Sequence, residues 1–104
     1  MARTPEGKVK DKVTKQLRAF GEGVWYFSPA ANGYGRAGIP DIIVCAWGNF
    51  VAIECKAGTN KPTVRQQQEL ATISLAQGHA MVVNEDNVDQ VTKILSDLQP
   101  VDIV

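Results

Sequence analysis

The sequence is poor in the residues from which several common active sites are built. Its single histidine, His79, argues against a histidine-metal nuclease or a Ser-His-Asp hydrolase and fits a surface or strand-edge side chain. Its two cysteines, Cys45 and Cys55, lack the spacing of a zinc site. No apolar run approaches the roughly 18 residues of a membrane span, and the N-terminus lacks the apolar core of a signal peptide. A cytosolic protein without a membrane segment is expected.

The chain also lacks a net charge, although its charges are unevenly spread. Residues 1–18 carry six Lys/Arg against two acids, and residues 79–104 carry five acids against Lys93. A neutral total argues against broad electrostatic capture of nucleic acid, but a local basic surface is compatible with it. The N-terminal lysines fit a solvated helix face and a phosphate contact equally well. With 104 residues, 44% hydrophobic and 21% charged, residues 1–104 are expected to form one domain.

Hydrophobic periodicity and turn residues predict seven elements in the order α-β-β-β-α-β-α. They are a helix at 5–20, strands at 24–28, 41–47 and 50–57, a helix at 64–77, a buried strand at 80–83 and a helix from about 86 to 98. The loop at 29–40 is rich in glycine, and Gly48-Asn49 is the signal of a two-residue hairpin turn. A hairpin followed by a helical crossover predicts a mixed sheet with helices packed on its faces.

The predicted hairpin gathers charge on one of its faces. A turn at Gly48-Asn49 pairs Trp47 with Phe50 and sets Asp41 opposite Lys56 and diagonal to Glu54. The other face is entirely apolar and is expected to be core. A cross-strand salt bridge explains the charges as an ordinary surface feature. Converging carboxylates are costly unless a cation joins them, however, so a metal site also accounts for them.

Further features of the same region favour the metal site. Asp41 follows Gly38-Ile39-Pro40 at an open strand end, and aromatic side chains make much of that face unsuited to water. Glu6 lies in line with the apolar stripe of the first helix and therefore points toward the sheet. A first-turn acid that stabilises the helix dipole is an equally ordinary explanation of Glu6.

These motifs together resemble the PD-(D/E)xK nuclease core. More narrowly, the chain resembles a stand-alone virus-type replication-repair nuclease (VRR-NUC) domain of the phage or bacterial type. The matching parts follow the family's order: Glu6 in the first helix, G-x-PD at 38–41, E-x-K at 54–56 and Thr-x-x-Gln at 63–66. Each motif is frequent by chance, but their order and setting across almost the whole chain are specific. Cys55 departs from the family, which usually has a larger aliphatic residue there.

The resemblance implies a restriction-endonuclease-like α/β fold and metal-dependent hydrolysis of DNA phosphodiester bonds. Asp41 and Glu54 would hold Mg²⁺ or Mn²⁺, with the backbone carbonyl of Cys55 and, through water, Glu6. Such ions prefer oxygen ligands and keep several waters. No small-molecule cofactor is implied.

Two further residues have implied roles in hydrolysis. Lys56 would orient or help deprotonate the attacking water and steady the developing charge. Gln66 would support the lysine or the scissile phosphate. Plain helix N-terminal polarity also explains Gln66, and the neighbouring Gln67 and Gln68 are the alternatives.

Stand-alone members of the family resemble dimeric junction-resolving enzymes, so the resemblance implies a homodimer that acts on branched DNA such as four-way (Holliday) junctions. Replication, recombination or repair in the cytoplasm of a bacterial host would be the setting. Trp25, Tyr26 or Trp47 would supply the apolar dimer contact, although each fits the core as well. Candidates for contact with the DNA backbone, which also fit solvated loops, are Asn32, Tyr34, Arg36, Lys61 and Arg65.

Two other functions are compatible with the sequence. An inactive nuclease-fold module would bind DNA without cutting it, and the intact set of Asp41, Glu54 and Lys56 argues against that. A protein-interaction domain would use the acidic C-terminal helix as its active surface.

Overall fold

The computed structural model describes residues 3–30 and 35–101, and it confirms the predicted order and the mixed sheet. The helices are α1 (Pro5–Ala19), α2 (Val64–Leu75) and α3 (Gln90–Leu98), and the strands are β1 (Val24–Phe27), β2 (Ile42–Ala46), β3 (Asn49–Cys55) and β4 (His79–Val83). The sheet has the order β1-β2-β3-β4. The β1–β2 and β2–β3 pairs are antiparallel, and β4 runs parallel to β3.

Helix α1 forms where the sequence supplies both a cap and an apolar stripe. The Thr4 hydroxyl accepts a hydrogen bond from the Gly7 amide, and Pro5 occupies the first helical position. Such a cap contributes about 1 kcal/mol. The stripe is buried at Val9, Val13 and Leu17 and packs with α3 over one face of the sheet. This packing places the first turn of α1 near the end of β3.

The core lies between that sheet face and helices α1 and α3. The strand side chains that the alternation predicts as core are fully buried: Ile42, Val44, Ala46, Val51, Ile53 and Cys55. Burying a Val, Leu or Ile side chain contributes about 1.5–3 kcal/mol, so this face dominates the stability of the fold. The prediction of an apolar core face in the hairpin is confirmed.

The turn between β2 and β3 lies one residue earlier than predicted. Ala46 pairs with Asn49, so Trp47 and Gly48 form the turn and the prediction of Gly48-Asn49 is wrong. Both turn residues have positive φ, 48° at Trp47 and 85° at Gly48, as a tight hairpin of this kind needs. A positive φ is uncommon for tryptophan. Trp47 adopts it while its indole packs against the core, edge-to-face on Phe20 with ring centroids 5.8 Å apart.

The earlier turn shifts the strand pairing by two residues. Ile42 pairs with Ile53, so the next position brings Asp41 opposite Glu54, and the predicted pairing of Asp41 with Lys56 is wrong. Side chains alternate between faces with a period of two, and a shift of two therefore leaves each strand residue on its predicted face. The charged face persists, now with two carboxylates directly opposite each other.

The burial of the fourth strand and the start of the last helix also differ from the prediction. Strand β4 is an edge strand in which only Val83 is buried, because α2 covers just part of its outer surface. The last helix begins at Gln90 rather than near Asp86. Side-chain oxygens of Asn84 and Asn87 accept backbone amide hydrogens in this segment, which gives the chain an alternative to the helical hydrogen bonds.

The second face of the sheet is largely open. Trp25 is 61% exposed and both Phe27 and Phe50 are 45% exposed, with Cys45 exposed between them. Tyr26 and Trp47, by contrast, pack against the core. None of the three helices in residues 3–30 and 35–101 has the length and apolar character needed to cross a membrane.

Candidate active site

Charged side chains from three elements meet where β3 ends. Glu54 is the penultimate residue of β3 and is only 1% exposed, Asp41 immediately precedes β2, and Lys56 follows β3. The Lys56 Nζ lies 3.4 Å from Glu54 Oε2 and 3.8 Å from Oε1 of Glu6, which comes from the first turn of α1. The structure therefore brings together four of the predicted site residues.

The backbone around these side chains is fixed from both sides. Asp41 Oδ2 accepts a hydrogen bond of 2.8 Å from the amide of Cys55. The next amide, of Lys56, donates to the carbonyl of Val83 on β4 at 2.9 Å. The Asp41 carboxylate and the neighbouring strand β4 thus fix the backbone between Glu54 and Lys56.

Three carboxylates converge in this cluster. Glu6, Asp41 and Glu54 each offer an oxygen, and these oxygens all lie within 4.8 Å of one another. Burial and the facing charge of Asp41 raise the pKa of Glu54 to about 7, although the ammonium of Lys56 opposes the shift. Near neutral pH the Glu54 carboxylate therefore loses its proton readily, and another cation can take the place of that proton.

The residues present fit a divalent metal ion. Oε1 of Glu54 is buried and has no hydrogen-bond partner among the described residues. Buried polar atoms are rarely left unpaired, and a carboxylate oxygen facing other carboxylates is best satisfied by a cation. An all-oxygen set suits Mg²⁺ or Mn²⁺ better than zinc. Burial, with the charges of Asp41 and Glu54, raises the pKa of the Cys55 thiol to about 12, which keeps that thiol protonated.

Gln66 lies close to the carboxylates but is partly engaged in the start of α2. Its Oε1 accepts a hydrogen bond from the Thr63 amide, and its own amide donates to the Thr63 hydroxyl. Its side chain also lines a cavity of about 340 Å³ that extends from Asp41 along the loop at 35–40. The capping function explains Gln66 structurally, while its place in the cavity keeps it within the candidate site.

The predicted DNA contacts separate into three groups. Arg36 and Arg65 border a common depression of about 290 Å³ between the loop at 35–40 and α2. Lys61 is exposed in the loop before α2. Asn32 and Tyr34 lie outside the described residues.

Glu69 is a candidate that the sequence reasoning missed. It is only 8% exposed, and its carboxylate forms an ion pair with the guanidinium of Arg36. The sequence does hold one sign of it, because Glu69 lies four residues before Ile73 and therefore on the same, partly buried face of α2.

The fold and the site together define a mixed α/β protein with a carboxylate–lysine cluster at the end of a strand. No family model matches the sequence, and no curated protein matches it significantly. Among solved structures, a chain described as a VRR_NUC domain is similar, with a TM-score of 0.70 and 23% sequence identity. The similarity covers 93% of this chain and 100% of that chain. The two share a fold, and the VRR-NUC-like fold inferred from the motifs is confirmed.

Proposed function

We propose that the protein is a metal-dependent endonuclease that hydrolyses DNA phosphodiester bonds. The observation that carries the proposal is the buried Glu54 carboxylate, which faces Asp41, contacts Lys56 and has one oxygen without a partner among the described residues. The fold shared with a VRR_NUC domain supports the same reading.

Asp41 and Glu54 would hold Mg²⁺ or Mn²⁺, with the Cys55 carbonyl and, through water, Glu6. Such an ion, when bound, polarises a phosphoryl oxygen and lowers the pKa of a coordinated water. The Asp41 carboxylate keeps its position through the Cys55 amide. Glu6 is about half exposed and 3.8 Å from Lys56, so it can hold a water at the rim of the site.

Lys56 would act on the attacking water and on the phosphate. Its ammonium is mostly buried and tethered to Glu54, which limits the positions it can adopt. A fixed positive charge beside the reacting phosphate stabilises the charge that accumulates on the phosphoryl oxygens. Gln66 lines the cavity of about 340 Å³ that reaches Asp41, and its side-chain amide would orient the scissile phosphate.

The direct test is incubation of the purified protein with a labelled four-way DNA junction and Mn²⁺. We expect cleavage that is lost with a chelator and falls by at least about a hundredfold in Lys56→Ala, as removal of one preorganised electrostatic group does elsewhere. Lys93→Ala, which removes an exposed lysine of α3, is the matched control and should cut normally. Binding without cutting would instead identify an inactive DNA-binding module, and neither binding nor cutting would favour a protein-interaction domain.

We further propose that branched DNA is the preferred substrate and that the active form is a homodimer. A two-fold dimer presents two sites to one branched substrate. The open sheet face with Trp25, Phe27, Cys45 and Phe50 is the apolar surface available for such a contact. It replaces Tyr26 and Trp47 as candidates, because these pack inward.

Two measurements test these finer proposals. Cleavage rates on a junction, a flap and a plain duplex of shared sequence should be highest for the junction. Sedimentation should give a dimer for the native chain and a monomer for Trp25→Glu, with Val101→Glu, at an exposed position after α3, as the control. A monomeric native chain that still cuts junctions would refute the dimer alone. A cytoplasmic setting, expected from the sequence, belongs to the same proposal.

A further inference from the structure

An ion pair with one buried partner, Glu69 with Arg36, has no part in the mechanism above. Within residues 3–30 and 35–101, Glu54 and Glu69 are the two buried charged residues. The Glu69 side chain is 11% exposed, whereas the side chain of its partner, Arg36, is 70% exposed. A carboxylate on α2 is therefore kept away from solvent while it holds an arginine that remains accessible.

Arg36 connects two depressions of the surface. One is the cavity of about 340 Å³ that reaches Asp41 and Gln66, and Arg36 lies in its wall. The other, of about 290 Å³, is lined by Arg36, Arg65, Gln68, Glu69 and Thr72. Arg36 therefore borders both the cavity that reaches Asp41 and the depression beside α2.

The chemistry of the second depression suits a phosphate. Arg36 contacts Glu69 through Nε, and a guanidinium has two terminal amino groups besides this nitrogen for a second acceptor. Arginine is suited to phosphate because its planar fork matches two oxygens at once. Two arginines against one glutamate leave this depression with a net positive charge.

The loop that carries Arg36 is also fixed against α2. Gly38 has a φ of +79°, and a Cβ at that position would lie 2.7 Å from the carbonyl oxygen of Arg65. Only glycine allows this approach of the loop to the helix. Together with the Glu69 ion pair, the contact fixes the loop bearing Arg36 relative to Arg65.

We propose that Arg36 and Arg65 form a subsite for a non-scissile DNA phosphate and that Glu69 is a positioning residue which orients Arg36 toward it. The inference rests on the proposed function for the identity of the ligand. It extends that function by assigning where the strand runs after it leaves the carboxylate cluster.

The test measures binding of a labelled four-way DNA junction in Ca²⁺, over a range of salt concentrations, for Arg36→Gln, Glu69→Gln and the double variant. Loss of one phosphate contact lowers the slope of log affinity against log salt by about 0.7–0.9, which at 0.1 M salt corresponds to about five- to eightfold weaker binding. We expect this loss in Arg36→Gln. Arg18→Gln, which removes an exposed arginine of α1, should retain the native slope.

Glu69 should matter only through Arg36. We expect weaker binding in Glu69→Gln and no further weakening in the double variant relative to Arg36→Gln, since two groups that act as one unit are not additive. An unchanged slope in Arg36→Gln, tighter binding in Glu69→Gln or additive losses in the double variant would each overturn the inference. Tighter binding would mean that Glu69 merely neutralises the arginine.

A second variant covers the case in which Glu69→Gln does not fold. In Arg36→Lys, the lysine ammonium pairs with Glu69 but offers the phosphate no planar pair of N–H donors, so we expect DNA binding as weak as in Arg36→Gln. Binding as tight as that of the native protein would overturn the positioning role of Glu69. Because these are binding measurements, a protein that shows the effect but never cuts refutes the nuclease proposal alone. Normal cutting with unaltered binding in Arg36→Gln refutes this inference alone.

Discussion

Replacing Glu54 by glutamine should stabilise the metal-free protein while removing a ligand of the proposed metal site. The Glu54 carboxylate is buried opposite Asp41, and its pKa is raised from 4.5 to about 7. A raised pKa means that the folded state holds the proton more tightly than the unfolded state. The favourable contribution of Glu54 is therefore present at acid pH and is lost as the pH rises from about 5 through 7.

The size of the effect follows from the shift. One pKa unit corresponds to about 1.4 kcal/mol, so the full shift corresponds to about 3 kcal/mol, of which about 2 to 3 kcal/mol falls between pH 5 and pH 8. At pH 5 Glu54 is mostly protonated and resembles glutamine, and the two proteins should differ little. At pH 8 Glu54→Gln should be more stable by about 2 to 3 kcal/mol.

Urea unfolding followed by tryptophan fluorescence, in EDTA at pH 5 and pH 8, measures this difference. Comparing the two proteins at each pH cancels the titration of most other acids. Glu85→Gln is the contrasting control, because hydrogen bonds to its own backbone amide and to that of Gly58 lower the pKa of Glu85. Stability from Glu85 is therefore present above its unfolded pKa and is lost on acidification. A Glu54→Gln protein that is equally destabilised at both pH values would refute the assigned cause of the shift.

Three further results are expected. At the proposed site Mg²⁺ would displace the proton on Glu54, so its affinity, measured by calorimetry, should be about tenfold weaker at pH 6 than at pH 8, and an affinity independent of pH would contradict the shift. Gly38→Ala should lower the free energy of unfolding more than Gly21→Ala, because both glycines have a positive φ but only Gly38 lies against the Arg65 backbone. Equal losses in urea unfolding would show that this close approach is unimportant. Thr63→Ala should lower the free energy of unfolding by about 1 kcal/mol because it removes the capping box with Gln66, and an unchanged urea midpoint would show that the cap is dispensable.

Most of the fold could be predicted because local signals and packing agree. The cap at Thr4, the stripe of α1 and the uninterrupted apolar face of the hairpin each specify one arrangement. The turn that was predicted one residue too late lies where a tertiary contact decides its position. Trp47 enters the turn because its ring has a place against Phe20, and a contact between residues so far apart in sequence leaves no local signal.

The site could be predicted despite a wrong register, and the reason is geometric. A turn displaced by one residue shifts the strand pairing by two, which preserves the face of every side chain. Asp41, Glu54 and Lys56 therefore remain on one face although the cross-strand partner of Asp41 changes. A shift by one residue would have sent Asp41 into the core. Glu69 could not be predicted in the same way, because its partner Arg36 lies in an irregular loop that follows no period.

The change of partner strengthens the case for a bound cation. With Asp41 opposite Lys56, the cluster would be a self-sufficient salt bridge. With Asp41 opposite Glu54, two like charges face each other, and such pairs destabilise a sheet. The nearby Lys56 offsets this only in part, since burial and then the charge of Asp41 keep the pKa of Glu54 raised, and one of its oxygens stays unpaired among the described residues. A bound cation would offset this cost in stability, and the proposed divalent ion would supply the missing positive charge.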